Sequence, residues 1–124
     1  MKKSEVYFNE DGTAYAVLVS AGWGAGWSTW NDDAVAYDRR VVELWLDWCK
    51  TVHRKSYRIG EPPNDVIVNA MKSFGYDYVY YGGWYDIRLM WVSNDDYWRI
   101  NEYDGSESLE ILDKSNGWNH LNEE

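Results

Sequence analysis

The chain has 124 residues and a net charge of −9, with 45% hydrophobic and 27% charged positions, which predicts one globular domain and excludes a disordered chain. The acidic balance argues against binding a nucleic-acid backbone, which needs clustered Lys and Arg. No apolar run approaches the roughly 18 residues of a membrane span, Met1 to Glu5 opens no apolar signal segment, and a lone Cys49 builds no disulfide framework, so the expectation is a soluble intracellular protein with no membrane partner.

In chain order, Val6 to Phe8 reads as a short strand entering the Asn9–Gly12 turn, and Ala14 to Ser20 as a strand rich in Val and small residues. A loop with Gly22, Gly24 and Gly26 covers Ala21 to Thr29. A long helix is predicted next, because Tyr37, Val41, Leu44, Trp45, Trp48 and Val52 recur at spacings of three and four. Asp38 is its N-cap candidate, with Asn31 or Asp32 as an earlier start. Pro62-Pro63-Asn64 opens a shorter helix with the face Ile67, Ala70, Met71 and Phe74, closed by Gly75. Beyond it the period changes to two. Asp77–Tyr81, Tyr85–Val92, Tyr97–Tyr103 and Ser108–Leu112 read as successive strands separated by Gly- and Asp-rich turns. The predicted fold is a single α+β domain over residues 1–124, an antiparallel meander with one long and one short helix packed on one face.

The local sequence with most chemical content is the glycine loop. It follows a strand, as phosphate-cradling loops do, and its glycines allow backbone N–H groups to approach a ligand. Gly22, Trp23, Gly24, Gly26, Trp27, Ser28 and Thr29 are therefore candidate ligand-binding residues, with Ser28 and Thr29 as hydroxyl donors and Trp23, Trp27 and Trp30 as stacking planes. The spacing matches neither the dinucleotide fingerprint nor a P-loop. The structural alternative is a tight loop whose tryptophans pack on the sheet.

Charge is uneven along the chain. Residues 93–124 hold nine acids and two bases, whereas residues 32–58 hold six bases and five acids. The basic cluster Arg39, Arg40, Lys50, His53, Arg54, Lys55 and Arg58 is either a solvated helix face or the wall of an anion pocket, and Arg54 and Arg58 are the candidate phosphate contacts. Twenty-two aromatic residues nearly equal the 23 Ile, Leu and Val, more than a small core can hide, so some are expected in a pocket or a homo-oligomer interface.

Cys49 and His53 share a helix face but lack the further partners of a nucleophilic or zinc site. The pairs Asp32/Asp33 and Asp95/Asp96 and the Asp104–Glu107 group lie in turn-like sequence where Asp is common for backbone reasons. No catalytic residue, metal site or cofactor is predicted.

Three strings together carry a resemblance: Gly22-Trp23-Gly24-Ala25-Gly26-Trp27-Ser28-Thr29-Trp30-Asn31 with the Val17–Ala21 strand end before it, Gly82-Gly83-Trp84, and Glu102-Tyr103-Asp104-Gly105-Ser106-Glu107 running on to Ser108. The chain resembles a small family of phage and prophage proteins that carries no established activity. The resemblance implies phage origin and a place in the host cytoplasm rather than a reaction. In that context the expected function is non-enzymatic capture of a nucleotide-like small molecule, in the sense of counter-defence against a host immune signal. The alternative is protein–protein inhibition of a host defence nuclease by acidic mimicry of nucleic acid. A small hydrolase is disfavoured because no reaction centre assembles.

Overall fold

The computed structural model describes residues 1–51, 63–112 and 118–122. Its organising element is the strand β1 (Ala14–Ser20), whose residues from Tyr15 onward are all buried. Side chains alternate across a strand. Ala16 and Leu18 therefore enter one core with Val41, Trp45, Trp48, Ile67 and Met71, and Tyr15, Val17 and Val19 enter a second with Val6, Val92, Trp98 and Leu121.

The first core is roofed by two helices, α1 (Arg39–Thr51) and α2 (Asp65–Ser73). The strand β2 (Ile87–Ser93) pairs antiparallel with β1, from Ala14↔Ser93 to Ser20↔Ile87. On the opposite face lies a hairpin of β3 (Tyr97–Tyr103) and β4 (Ser106–Leu112), registered from Tyr97↔Leu112 to Tyr103↔Ser106. The fold is α+β, with both helices on one side of β1 as the sequence predicts. No helix among the described residues is long and apolar enough to cross a membrane.

Four expectations change. The four late segments do not form one meander: β1–β2 and β3–β4 are separate two-stranded ladders. The Asn94 amide donates to Thr13 O and its side chain to Gly12 O, which ties the turn after β2 to the turn before β1 and sends β3 off the sheet. The predicted strand Asp77–Tyr81 is irregular, because the Asn31 side chain replaces a neighbouring strand at Tyr80. Asp104 and Gly105, with φ of 49° and 85°, make a two-residue turn of the kind that suits hairpin twist, so β4 begins at Ser106 instead of Ser108. Of Val6–Phe8 only a bridge between Phe8 and Tyr15 forms.

Both helix starts are capped as expected. Asn64 Oδ1 accepts from Ile67 N at 2.9 Å, and Gly75, with φ of 99°, ends α2. Asp38 Oδ1 accepts from Arg40 N at 2.9 Å, while its carboxylate also receives the Arg40 guanidinium and, at 2.7 Å, the Tyr76 hydroxyl. Asp38 thereby joins the start of α1 to the segment after α2. Val52, His53, Arg54, Lys55, Arg58 and Pro62, which figure in the sequence expectations, lie outside the described residues.

Burial disfavours the Asp38 charge, but the hydrogen bonds from Arg40 and Tyr76 outweigh it and hold the carboxyl below its ordinary 3.8. Burial, then the bond to Asp38, pushes the Tyr76 phenol above its ordinary 10. A lowered carboxyl stabilises the fold above pH 3.8 and loses that contribution as pH falls through its folded value. A raised phenol stabilises below pH 10 and loses that contribution as pH rises through its folded value. Asp38→Asn should therefore cost about 1.5–3 kcal/mol at neutral pH and flatten both limbs of the stability–pH curve, measured by urea unfolding. An unchanged curve would show that the cluster does not anchor the helices.

Candidate functional site

Two adjoining features form the candidate site: the glycine loop and an aromatic groove beside it. The loop leaves β1 at Ser20 and closes in a 3-10 turn, Ser28–Trp30. Its backbone donors converge on an anion, and that anion is the protein's own Glu107. Glu107 Oε1 accepts from Ser20 N at 2.9 Å, and Oε2 accepts from Trp27 N at 2.8 Å, Thr29 N at 3.0 Å and Thr29 Oγ1 at 2.5 Å. The carboxylate is 3% exposed. A buried carboxylate is stable only with such a shell of donors, since each amide hydrogen bond to a charge is about twice a neutral one.

The three segments that carry the sequence resemblance meet here. A Cβ on Gly83 would overlap the Gly26 carbonyl, and one on Gly105 would overlap the Gly24–Ala25 peptide. Gly24 N donates to Asp104 O at 2.7 Å, so the hairpin turn is bonded to the loop as well as packed on it. Glycine is required because backbone lies on backbone.

The structure differs from the expectation of open loop amides. Trp27 is fully buried, with its indole donating to Val35 O at 3.0 Å, and its ring packs edge-on against Trp84 at 5.4 Å. Ser28 is buried, Thr29 is held by Glu107, and a side chain on Gly22 would overlap Asp86. Gly24 has φ of 89° and open space around its α-carbon. Of the three loop tryptophans, Trp23 is the most exposed, at 66%, and lies edge-on to Tyr103 at 6.0 Å. Arg54 and Arg58 lie outside the described residues; of the basic cluster, Arg39, Arg40 and Lys50 are described and pair with Glu43, Asp38 and Asp47.

The groove begins where the loop ends. Its cavity is about 520 Å³, within the usual range for small-molecule sites, and runs from Trp30 and Asn31 past Val68 and Lys72 of α2 to Tyr76–Tyr81. Trp30 and Tyr80 stack at 5.5 Å and 28°, each 41% exposed. The backbone that carries each ring is held in place. Asn31 Nδ2 donates to Trp27 O and Tyr80 O, both at 2.9 Å, while Asn31 Oδ1 accepts from Tyr80 N at 2.8 Å. Trp30 Nε1 reaches Glu102 at 3.3 Å. Tyr81 is buried below, and burial pushes its phenol up to about 12, so it stays protonated and neutral at physiological pH.

Sequence reasoning named Trp30 as a plane but missed Tyr80 and Asn31. The available signal was the Tyr78-Val79-Tyr80-Tyr81 run placed directly before Gly82-Gly83. A larger groove of about 760 Å³ lies between residues 7–11 and Leu46, Leu89 and Trp91, but among the described residues its charged wall is Glu10 and Asp11 without a cation. Among the described residues no cluster of three or more His, Cys, Asp or Glu is placed to hold a metal.

Scans against protein-family models, curated proteins and solved structures returned no match to this chain.

If Glu107 anchors the loop, Glu107→Gln should lower the unfolding free energy by about 2–4 kcal/mol, because an amide NH₂ then faces N–H donors. Chemical denaturation measures it. Wild-type stability in that variant would show that the loop closes without the carboxylate.

Proposed function

We propose that the protein is a non-enzymatic binding protein of phage origin that captures a nucleotide-like small molecule in the host cytoplasm, and that the ligand lies in the groove of Trp30 and Tyr80. The observation that carries this reading is the half-exposed stacked pair at the edge of a 520 Å³ cavity, with the Tyr80 backbone held by Asn31. Rings fixed before binding present a stacking plane at little entropic cost. A base laid on such a plane gains roughly 1–3 kcal/mol. Lys72 on the same wall supplies positive charge for a phosphate. The glycine loop serves as the frame that positions Trp30 and Asn31. Inhibition of a defence nuclease by acidic mimicry draws less support. Glu107 is buried, Glu102 accepts from Trp30 and Gly105, and Glu110 binds Arg99 and Asn101, so three acids of the hairpin are engaged internally.

Isothermal titration with nucleoside monophosphates tests the reading. Micromolar to millimolar binding is expected for wild type, and Trp30→Ala should weaken it about 5- to 150-fold with little change in melting temperature. Undiminished affinity in Trp30→Ala would remove the groove from the proposal.

Self-association belongs to the same proposal. Met90 and Trp91, 41% and 49% exposed on β2, do not line this groove, and a homo-oligomer covers such residues. Light scattering at high micromolar concentration should give more than the 14.6 kDa of one chain. A monomer mass would overturn this part.

A further inference from the structure

Among the described residues, the groove contains one cation and one carboxylate that the fold does not use. Lys72 closes the last turn of α2, and Asp77 stands beyond the glycine that ends it; both side chains are exposed on the cavity wall. Neither makes a hydrogen bond or ion pair with another described residue through its side chain, and they do not pair with each other. Asn31 and Tyr76, also on the wall, are committed. Asn31 spends its amide on Trp27 and Tyr80, and the Tyr76 hydroxyl donates to Asp38. The backbone between the two charges is fixed, since Phe74, Gly75 and Tyr76 amides all return to carbonyls of the last helical turn.

Resting on the groove reading above, we infer that Lys72 and Asp77 select a guanine nucleotide with a single phosphate. An ionised carboxylate is an acceptor at both oxygens. Guanine alone among the common bases offers two adjacent donors, N1–H and the N2 amino group, on its Watson–Crick edge. Adenine and cytosine set one amino donor beside a ring acceptor, and uracil flanks one N–H with two carbonyls. Any base but guanine therefore turns an acceptor toward a carboxylate oxygen. The phosphate end follows from charge. Among the described residues the groove holds one lysine, which in a chain with net charge −9 matches one phosphate group, and each further phosphate adds repulsion without a described partner. The stacked rings hold the base plane, Asp77 reads its edge, and Lys72 takes the phosphate.

The test is titration of wild type, Asp77→Asn and Lys72→Met with guanosine, inosine, adenosine, cytidine and uridine monophosphates, with guanosine and guanosine triphosphate alongside. Both residues are exposed, so each variant should melt as wild type does. Guanosine monophosphate should bind about ten- to a hundredfold tighter than the adenosine, cytidine and uridine forms. Inosine monophosphate, lacking the amino group, should fall between. Asp77→Asn should erase the preference for guanine, and Lys72→Met should weaken every monophosphate while leaving guanosine unchanged. The triphosphate should bind no tighter than the monophosphate. Equal binding of all bases, or a guanine preference that survives Asp77→Asn, would overturn this inference and leave the groove reading standing. A triphosphate about tenfold tighter than the monophosphate would overturn the single-phosphate assignment. No binding of any nucleotide to the folded protein would overturn both the inference and the reading beneath it.

Discussion

The architecture turns on one carboxylate. Glu107 projects inward from the hairpin and collects three backbone amides and a hydroxyl from the end of β1 and the loop that follows it. A charge this deep costs several kcal/mol unless donors surround it, and residues 78 to 87 positions away supply them. That demand fixes where the hairpin sits on the sheet. It also dictates the glycines, because the loop reaches Glu107 only if Gly83 and Gly105 let backbones touch. Glu102 stands directly opposite Glu107 in the ladder, a like-charge arrangement that is unfavourable without partners. The Trp30 indole and the Gly105 amide supply donors to Glu102.

Because the loop's capacity for an anion is met internally, the proposed recognition surface lies at its far end. The same 3-10 turn that delivers Thr29 to Glu107 delivers Trp30 and Asn31 to Tyr80. Stability and preorganisation of the groove are therefore one property of the loop, read at two ends. A change that loosens Glu107 is expected to disturb the stacked rings as well. The Asp38 cluster adds a second tether, since Tyr76 both bonds Asp38 and lines the groove.

The aromatic surplus divides by environment. Trp27, Trp48, Tyr81 and Trp84 meet edge-on beneath the helices, where ring edges contact ring faces and area is removed from water. Trp23, Trp30, Tyr80 and Tyr103 stay at the surface in pairs. Trp27 and Trp30 are three residues apart in one loop, yet one is core and the other is groove. Their residue type is the same; the contact with Val35 or with Glu102 decides.

The sequence by itself determined the local elements. Period and capping specified β1, both helices, the Asn64 and Asp38 caps and β3 at its observed bounds, because these rest on interactions within a few residues. It also marked the glycine loop as unusual. Tertiary structure alone decided which strands pair, that Tyr80 takes a side chain as its strand partner, and that the loop's anion is Glu107. In the ladder Glu107 lies on the inward side with Leu109, whereas the sequence pattern placed it in the turn before a strand starting at Ser108. What the pattern lacks is the partner: donors on Ser20, Trp27 and Thr29 are backbone groups common to every residue, and only the folded chain selects which of them face a carboxylate.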